Sequence, residues 1–121
     1  MIVIEQGEST PYIKIDPENY SFIIKGNSFV TNPHQFYSAV NEWGKSLNIE
    51  DARTLNIEIT MGYYSTSNIQ FLNLFFKTLI NNNKDKVELS FFLEEEEEED
   101  LEETMLSLIF NTGIPLNKHY L

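Results

Sequence analysis

Residues 55–80 limit the possible folds most, because the hydrophobic period changes within them. Leu55, Ile57 and Ile59 alternate with Asn56, Glu58 and Thr60, the two-residue period of a strand with one buried and one solvated face. Ile69, Leu72, Phe75, Phe76, Leu79 and Ile80 then recur at spacings of three and four, which puts them on one stripe of a helix. A tight turn is expected after Thr60, and Ser65, Thr66, Ser67 and Asn68 fall where the helix must begin.

The first amide NH groups of a helix have no acceptor inside it. Hydroxyl and amide side chains cap such an end, and the same NH groups, with the positive end of the helix dipole, also suit a phosphate. Two readings of residues 65–68 follow. In one they are caps only. In the other a hydroxyl is phosphorylated as a switch, adding about −1.5 to −2 charge.

The flanking chain supplies the rest of the sheet and its cover. Ile2–Ile4 make a short strand broken by Gly7–Thr10, and Pro11–Ile15 and Tyr20–Lys25 flank the turn signal Asp16-Pro17-Glu18-Asn19, which predicts a hairpin. Gly26 is expected to end its second strand. Asn32 and Pro33 open a helix whose stripe is Phe36, Val40, Trp43 and Leu47, with Tyr37 and Ala39 alongside. Trp43 on that stripe reads as core and not as a ligand platform. Asn81–Asn83 close the central helix, and Val87, Leu89, Phe91 and Leu93 alternate as another half-buried strand.

Glu94–Asp100 are seven consecutive acids. Without interleaved spacing or a glycine turn they read as a solvated loop or helix entry and not as a cation site. Leu101, Met105, Leu106, Ile109 and Phe110 predict a last amphipathic helix closed at Gly113, with the tail Ile114–Leu121 docking on the body. The expected fold class is α/β: a four- to five-stranded mixed sheet with an N-terminal β-hairpin and helices mainly on one face, as one domain over residues 1–121.

Composition narrows function. A net charge of −11, from 8 basic and 19 acidic residues, argues against nucleic acid or an anionic membrane as partner and favours a protein with a basic patch. The chain has no cysteine, so disulfides and thiolate metal sites are excluded. Met1–Gln6 lack the character of a signal peptide, and no apolar run approaches the roughly 20 residues of a membrane span, so a cytoplasmic protein without membrane insertion is expected. His34 and His119 are the only histidines and are not in metal-binding spacing, and no glycine-rich nucleotide loop occurs. No catalytic residue, cofactor or metal is predicted.

Thr10-Pro11, Gly26-Asn27-Ser28-Phe29, Phe36-Tyr37, Trp43, Tyr63-Tyr64-Ser65-Thr66-Ser67 and the acidic segment after Phe92 occur in an order and spacing that resembles the SiaC family of bacterial regulatory phosphoproteins. The resemblance spans most of the chain and implies a fold like that of STAS-type anti-sigma factor antagonists. Phosphorylation in that family falls on the threonine of a Tyr-Phe-Asn-Thr-Ser-Ser motif at a strand-to-helix turn, which aligns with Thr66. The chain departs from the motif with Tyr64 for Phe, Ser65 for Asn and Asn68 for the later Ser, and has Asn27 where Arg is frequent. Ser65 and Ser67 therefore stand as neighbouring candidate acceptors.

What the resemblance implies is a partner switch in c-di-GMP signalling. A histidine-kinase-like Ser/Thr kinase would add the phosphate, a PP2C-type phosphatase would remove it, and the dephosphorylated form would bind and activate a diguanylate cyclase or other effector protein. Tyr63, Tyr64, Ser65, Ser67 and Asn68 would surround Thr66 as the partner-contacting set, either tyrosine being equally open to a core role. Two alternatives stand beside this reading. One is a constitutive acidic scaffold with no phosphoswitch; the other is a small enzyme whose site is assembled from carboxylates.

Overall fold

A computed structural model describes residues 1–83, 85–93 and 116–120. The acidic run Glu94–Asp100, the expected last helix, its closure at Gly113 and the start of the tail lie outside the described residues. Six strands, β1 (Ile2–Ile4), β2 (Tyr12–Asp16), β3 (Ser21–Ser28), β4 (Leu55–Tyr64), β5 (Val87–Leu93) and β6 (Leu116–Tyr120), form one sheet in chain order. β1, β2 and β3 pair antiparallel, and β3 to β6 pair parallel. Parallel neighbours need a crossover. α1 (Pro33–Phe36) and α2 (Ser38–Ser46) bridge β3 to β4, and α3 (Thr66–Asn82) bridges β4 to β5.

The hairpin forms where the Asp-Pro-Glu-Asn signal predicts it. Asn19 donates its backbone NH and its side-chain NH₂ to the Asp16 carboxylate, and Tyr20 turns the chain at φ 49°. Arg53, the chain's single arginine, ties this turn to the start of β4. Its guanidinium lies 4.1 Å over the Tyr20 ring and donates to Asp51 at 2.9 Å and to the Glu18 carbonyl at 3.1 Å.

Alternation on the strands builds one dry face. Ile13 and Ile15, Phe22 and Ile24, Leu55, Ile57 and Ile59, and Leu89 and Phe91 are buried, whereas Asn56, Glu58 and Glu88 on the opposite face are exposed. α2 and α3 cover the dry face through aromatic rings. Phe22 lies 5.8 Å from Trp43 of α2 and 5.5 Å from Phe75 of α3. Gly44 lets α2 approach α3 closely, since a Cβ there would stand 2.5 Å from the Phe75 ring. At the other end of α3, the Asn83 side chain accepts from Ile49 NH and donates to the Leu47 and Leu79 carbonyls, which closes the helix and holds the link before β4.

Four local expectations are corrected. Among the described residues the sheet has six strands, the sixth drawn from the tail, which was not expected because an alternating apolar signal is weak in a five-residue segment. Gly26 does not end β3, which runs on to Ser28, with Gly26 at φ 108° where the register shifts. The first long helix is interrupted at Tyr37, which is fully enclosed, while Ala39 is exposed. No tight turn follows Thr60, since β4 continues to Tyr64 and leads through Ser65 directly into α3.

Candidate functional site

The site forms at the carboxyl ends of the parallel pair β3 and β4. Gly26 faces Met61 and Ser28 faces Tyr64, so β4 advances three residues while β3 advances two. The extra residue is a bulge, and a bulge reverses which side chains of the strand point inward. On β4 the buried positions are Leu55, Ile57 and Ile59, all odd; beyond the bulge the buried one is Tyr64 and the exposed one Tyr63. Asn27 holds the bulge by accepting from Tyr63 NH at 2.8 Å. Gly62 is required there for close approach, because a Cβ on it would lie 2.9 Å from the Gly26 carbonyl carbon and 3.0 Å from Asn27 N.

Beneath this surface runs a buried polar chain. Ser28 Oγ lies 2.5 Å from Tyr37 OH and donates to Asn68 Oδ1 at 2.6 Å. A serine hydroxyl has one proton, so Tyr37 must be the donor to Ser28. Burial pushes the Tyr37 phenol up to about 12, which keeps that proton in place at neutral pH. Asn68 Nδ2 donates to the Val30 carbonyl at 3.1 Å, to Ser65 Oγ at 2.7 Å and toward Ser67 Oγ at 3.3 Å. The chain thus joins the end of β3, the α1–α2 junction and the first turn of α3. Ser65 NH also donates to the Ser28 carbonyl at 3.1 Å, which seats the strand-to-helix passage.

The sequence-predicted residues divide sharply. Thr66 is the first residue of α3 and exposed, and its hydroxyl makes no hydrogen bond among the described residues. Ser67 is exposed, Ser65 is half-buried, and the two hydroxyls stand 3.4 Å apart. Ser65 occupies the N-cap position, yet its side chain makes no capping bond because it serves Asn68 instead. Asn68 is fully enclosed and Tyr64 is only 6% exposed, so neither offers a surface to a partner. The contact role expected of both is corrected to a supporting one. Tyr63, at 64% exposure, points outward.

Phe29 is the residue that the sequence did not flag for the surface. It is 41% exposed and meets the Tyr63 ring edge-on at 5.9 Å, making an aromatic pair beside the start of α3. Leu74, also exposed, lies two turns along α3 from Ser67 and on the same side of the helix. Asn68 was detectable in principle, since it stands at helical spacing with Phe71, Leu72 and Phe75 on the buried stripe. Among the described residues, no group of three or more metal-ligating side chains is gathered, and no helix is long and apolar enough to cross a membrane.

Tyr64 carries a testable cost. Its hydroxyl is buried without a partner among the described residues, and burial, with the Tyr37 phenol nearby, pushes its ionisation well above the ordinary tyrosine value. Removing an unsatisfied buried hydroxyl while keeping the ring relieves a desolvation penalty. Tyr64→Phe is expected to stabilise the protein by about 1 kcal/mol in urea denaturation. A loss of stability of that size would show that the hydroxyl has a partner after all.

A family model described as SiaC family regulatory phosphoprotein matches residues 4–117. Among solved structures, the chain is similar to one from the crystal structure of the diguanylate cyclase SiaD in complex with its activator SiaC from Pseudomonas aeruginosa, with TM-score 0.86 and 18% identity over 100% of both chains. It is also similar to SiaC of Pseudomonas aeruginosa, with TM-score 0.78 and 18% identity over 99% of this chain and 98% of that one. The crystal structure of apo-SiaC from the same organism gives TM-score 0.73 and 18% identity, over 98% and 97%. At such identity the likeness establishes a shared fold. No curated protein matches the chain significantly.

Proposed function

The chain belongs to the SiaC family of regulatory phosphoproteins, and on that premise we propose that it is a non-enzymatic partner switch set by phosphorylation of Thr66. A histidine-kinase-like Ser/Thr kinase adds the phosphate and a PP2C-type phosphatase removes it. The unmodified form binds and activates an effector, a diguanylate cyclase. The observation that carries this reading is the placement of Thr66. It is exposed, at the first position of a 17-residue helix, beside the outward-facing Tyr63 and Phe29. The description of the similar SiaC as activator of a diguanylate cyclase supports the effector class.

In the modification, Thr66 Oγ1 forms a bond to the γ-phosphorus of a nucleoside triphosphate. The bond from that phosphorus to the bridging oxygen breaks, the diphosphate leaves, and the hydroxyl proton passes to a base on the kinase. The product is a near-dianion at a helix N-terminus, where the dipole and free NH groups favour it. The same charge changes the surface on which an effector has docked. A partner selected by the bare hydroxyl and the aromatic pair meets a bulky, hydrated anion in its place, and is released.

Intact-mass and peptide mass spectrometry of the protein from its native cells tests the modification, with Thr66→Ala as control. A phosphate on Thr66 that is lost in the variant, together with capture of a diguanylate cyclase by the unmodified form alone, is the expected result. Protein that stays unmodified under every growth condition overturns the reading, as does an effector captured equally by both forms.

A further inference from the structure

Three adjacent hydroxyls, Ser65, Thr66 and Ser67, lie within one turn of the candidate site, yet they differ in what holds them. Resting on the phosphoswitch reading, we infer that Asn68 is the specificity-determining residue that reserves the modification for Thr66, by engaging the serines on either side.

The amide of Asn68 is fixed in orientation. Its Oδ1 accepts from Ser28 Oγ at 2.6 Å, so its two Nδ2 protons face the Val30 carbonyl at 3.1 Å and the serine hydroxyls at 2.7 Å and 3.3 Å. An amide nitrogen has only donors, so both serine oxygens meet it as acceptors. A hydroxyl oxygen whose lone pair is committed to a donor is a poorer nucleophile. The bond to Ser65 also turns that side chain toward the interior. To receive a phosphoryl group, Ser65 would have to swing outward and leave an amide proton of a fully buried Asn68 with only the longer contact to Ser67 Oγ at 3.3 Å. A lost bond to a buried donor corresponds to a penalty of about tenfold or more in the population of the swung-out state. Thr66 pays none, because its hydroxyl makes no bond among the described residues and already faces solvent.

The hold is graded. Ser65, closest to the amide and half-buried, is the more strongly shielded, and Ser67, at 3.3 Å from the amide and exposed, the less. Loss of the amide therefore releases Ser65 first. Asn68 acts through its neighbours and is a positioning residue in the sense that it touches no transferred group.

The experiment is site-resolved phosphopeptide mass spectrometry of the full chain expressed in its native cells, as wild type, Asn68→Ala and Tyr37→Phe. Wild type is expected to carry phosphate on Thr66 only. Asn68→Ala is expected to raise the phosphate on Ser65, relative to that on Thr66, by about tenfold. Tyr37→Phe removes the buried hydroxyl that donates to Ser28 but leaves the Ser28–Asn68 bond, and so keeps both Nδ2 protons directed at the serines and Val30, so its phosphate stays on Thr66. Should Asn68→Ala fail to accumulate, Asn68→Leu replaces it, a side chain of nearly the same size with no proton to donate.

A phosphate on Thr66 alone in both the wild type and the Asn68 variant overturns this inference and leaves the switch intact. Spread of phosphate in Tyr37→Phe equal to that in Asn68→Ala also overturns it, because a loosened core would then be the cause. Wild-type protein without any phosphate overturns the switch reading itself, and the inference with it.

Discussion

Replacing Phe75 with alanine is expected to lower the stability of the protein by about 3–5 kcal/mol, the range for removing a buried aromatic ring that the surroundings cannot refill. Phe75 is 1% exposed and is the ring on which α2, α3 and the sheet converge. Its centroid lies 5.5 Å from Phe22 of β3, 6.4 Å from Trp43 of α2, and 6.4 Å and 5.7 Å from Phe71 and Phe76 of α3. Gly44 seats against the same ring, so the vacancy would border α2 backbone that has no side chain to move into it. Thermal denaturation reads the effect as a fall of about 10 °C or more. A fall of only a few degrees would mean that Trp43 and Phe71 close over the gap.

Tyr63→Ala is expected to weaken binding of the effector by about 30-fold or more, corresponding to about 2 kcal/mol, while leaving urea stability within about 0.5 kcal/mol. Tyr63 is 64% exposed and meets Phe29, itself partly exposed, edge-on, so removing it opens no internal cavity. In a complex an exposed, amphipathic aromatic beside Thr66 is the kind of side chain that carries interface energy. Isothermal titration of the captured effector with wild-type and variant protein measures the ratio. An unchanged affinity would move the docking surface away from the aromatic pair, and a large loss of stability would mean that Tyr63 supports the bulge.

The contrast between adjacent tyrosines shows where reading the sequence succeeds and where it stops. Leu55, Ile57 and Ile59 disclose the strand, and Leu72, Phe75, Phe76 and Leu79 disclose the helix, because local periodicity follows directly from which face is dry. The phase of that period at Tyr63 and Tyr64 depends on a bulge, and the bulge depends on Asn27 and Gly26 of a different strand, some 35 residues earlier in the chain. No local pattern contains that information. Gly62 has the same ambiguity: a glycine that permits a turn and one that permits close approach of a neighbouring strand look alike in sequence.

The position of Thr66 at a helix start was legible from the serine and threonine cluster, and the structure exposes it there. The buried Ser28–Tyr37–Asn68 chain was not. Its members come from three elements, and each alone reads as ordinary: a strand-end serine, a helix tyrosine and a capping asparagine. Asn68 at helical spacing with apolar residues was the one local signal that a polar group lies inside and needs partners.

The anchoring of Arg53 bears on who reads a phosphate placed on Thr66. Guanidinium forks are the groups that fold a phosphorylated segment back onto its own protein. The single guanidinium of this chain sits before β4, already engaged with Asp51, the Tyr20 ring and the Glu18 carbonyl, and the ten residues of β4 separate it from the start of α3. With strands rising about 3.3 Å per residue, that is a gap of about 30 Å. A phosphoryl group placed on Thr66 would therefore have no arginine of its own chain to clasp it, and the guanidinium fork that reads it would have to come from another molecule.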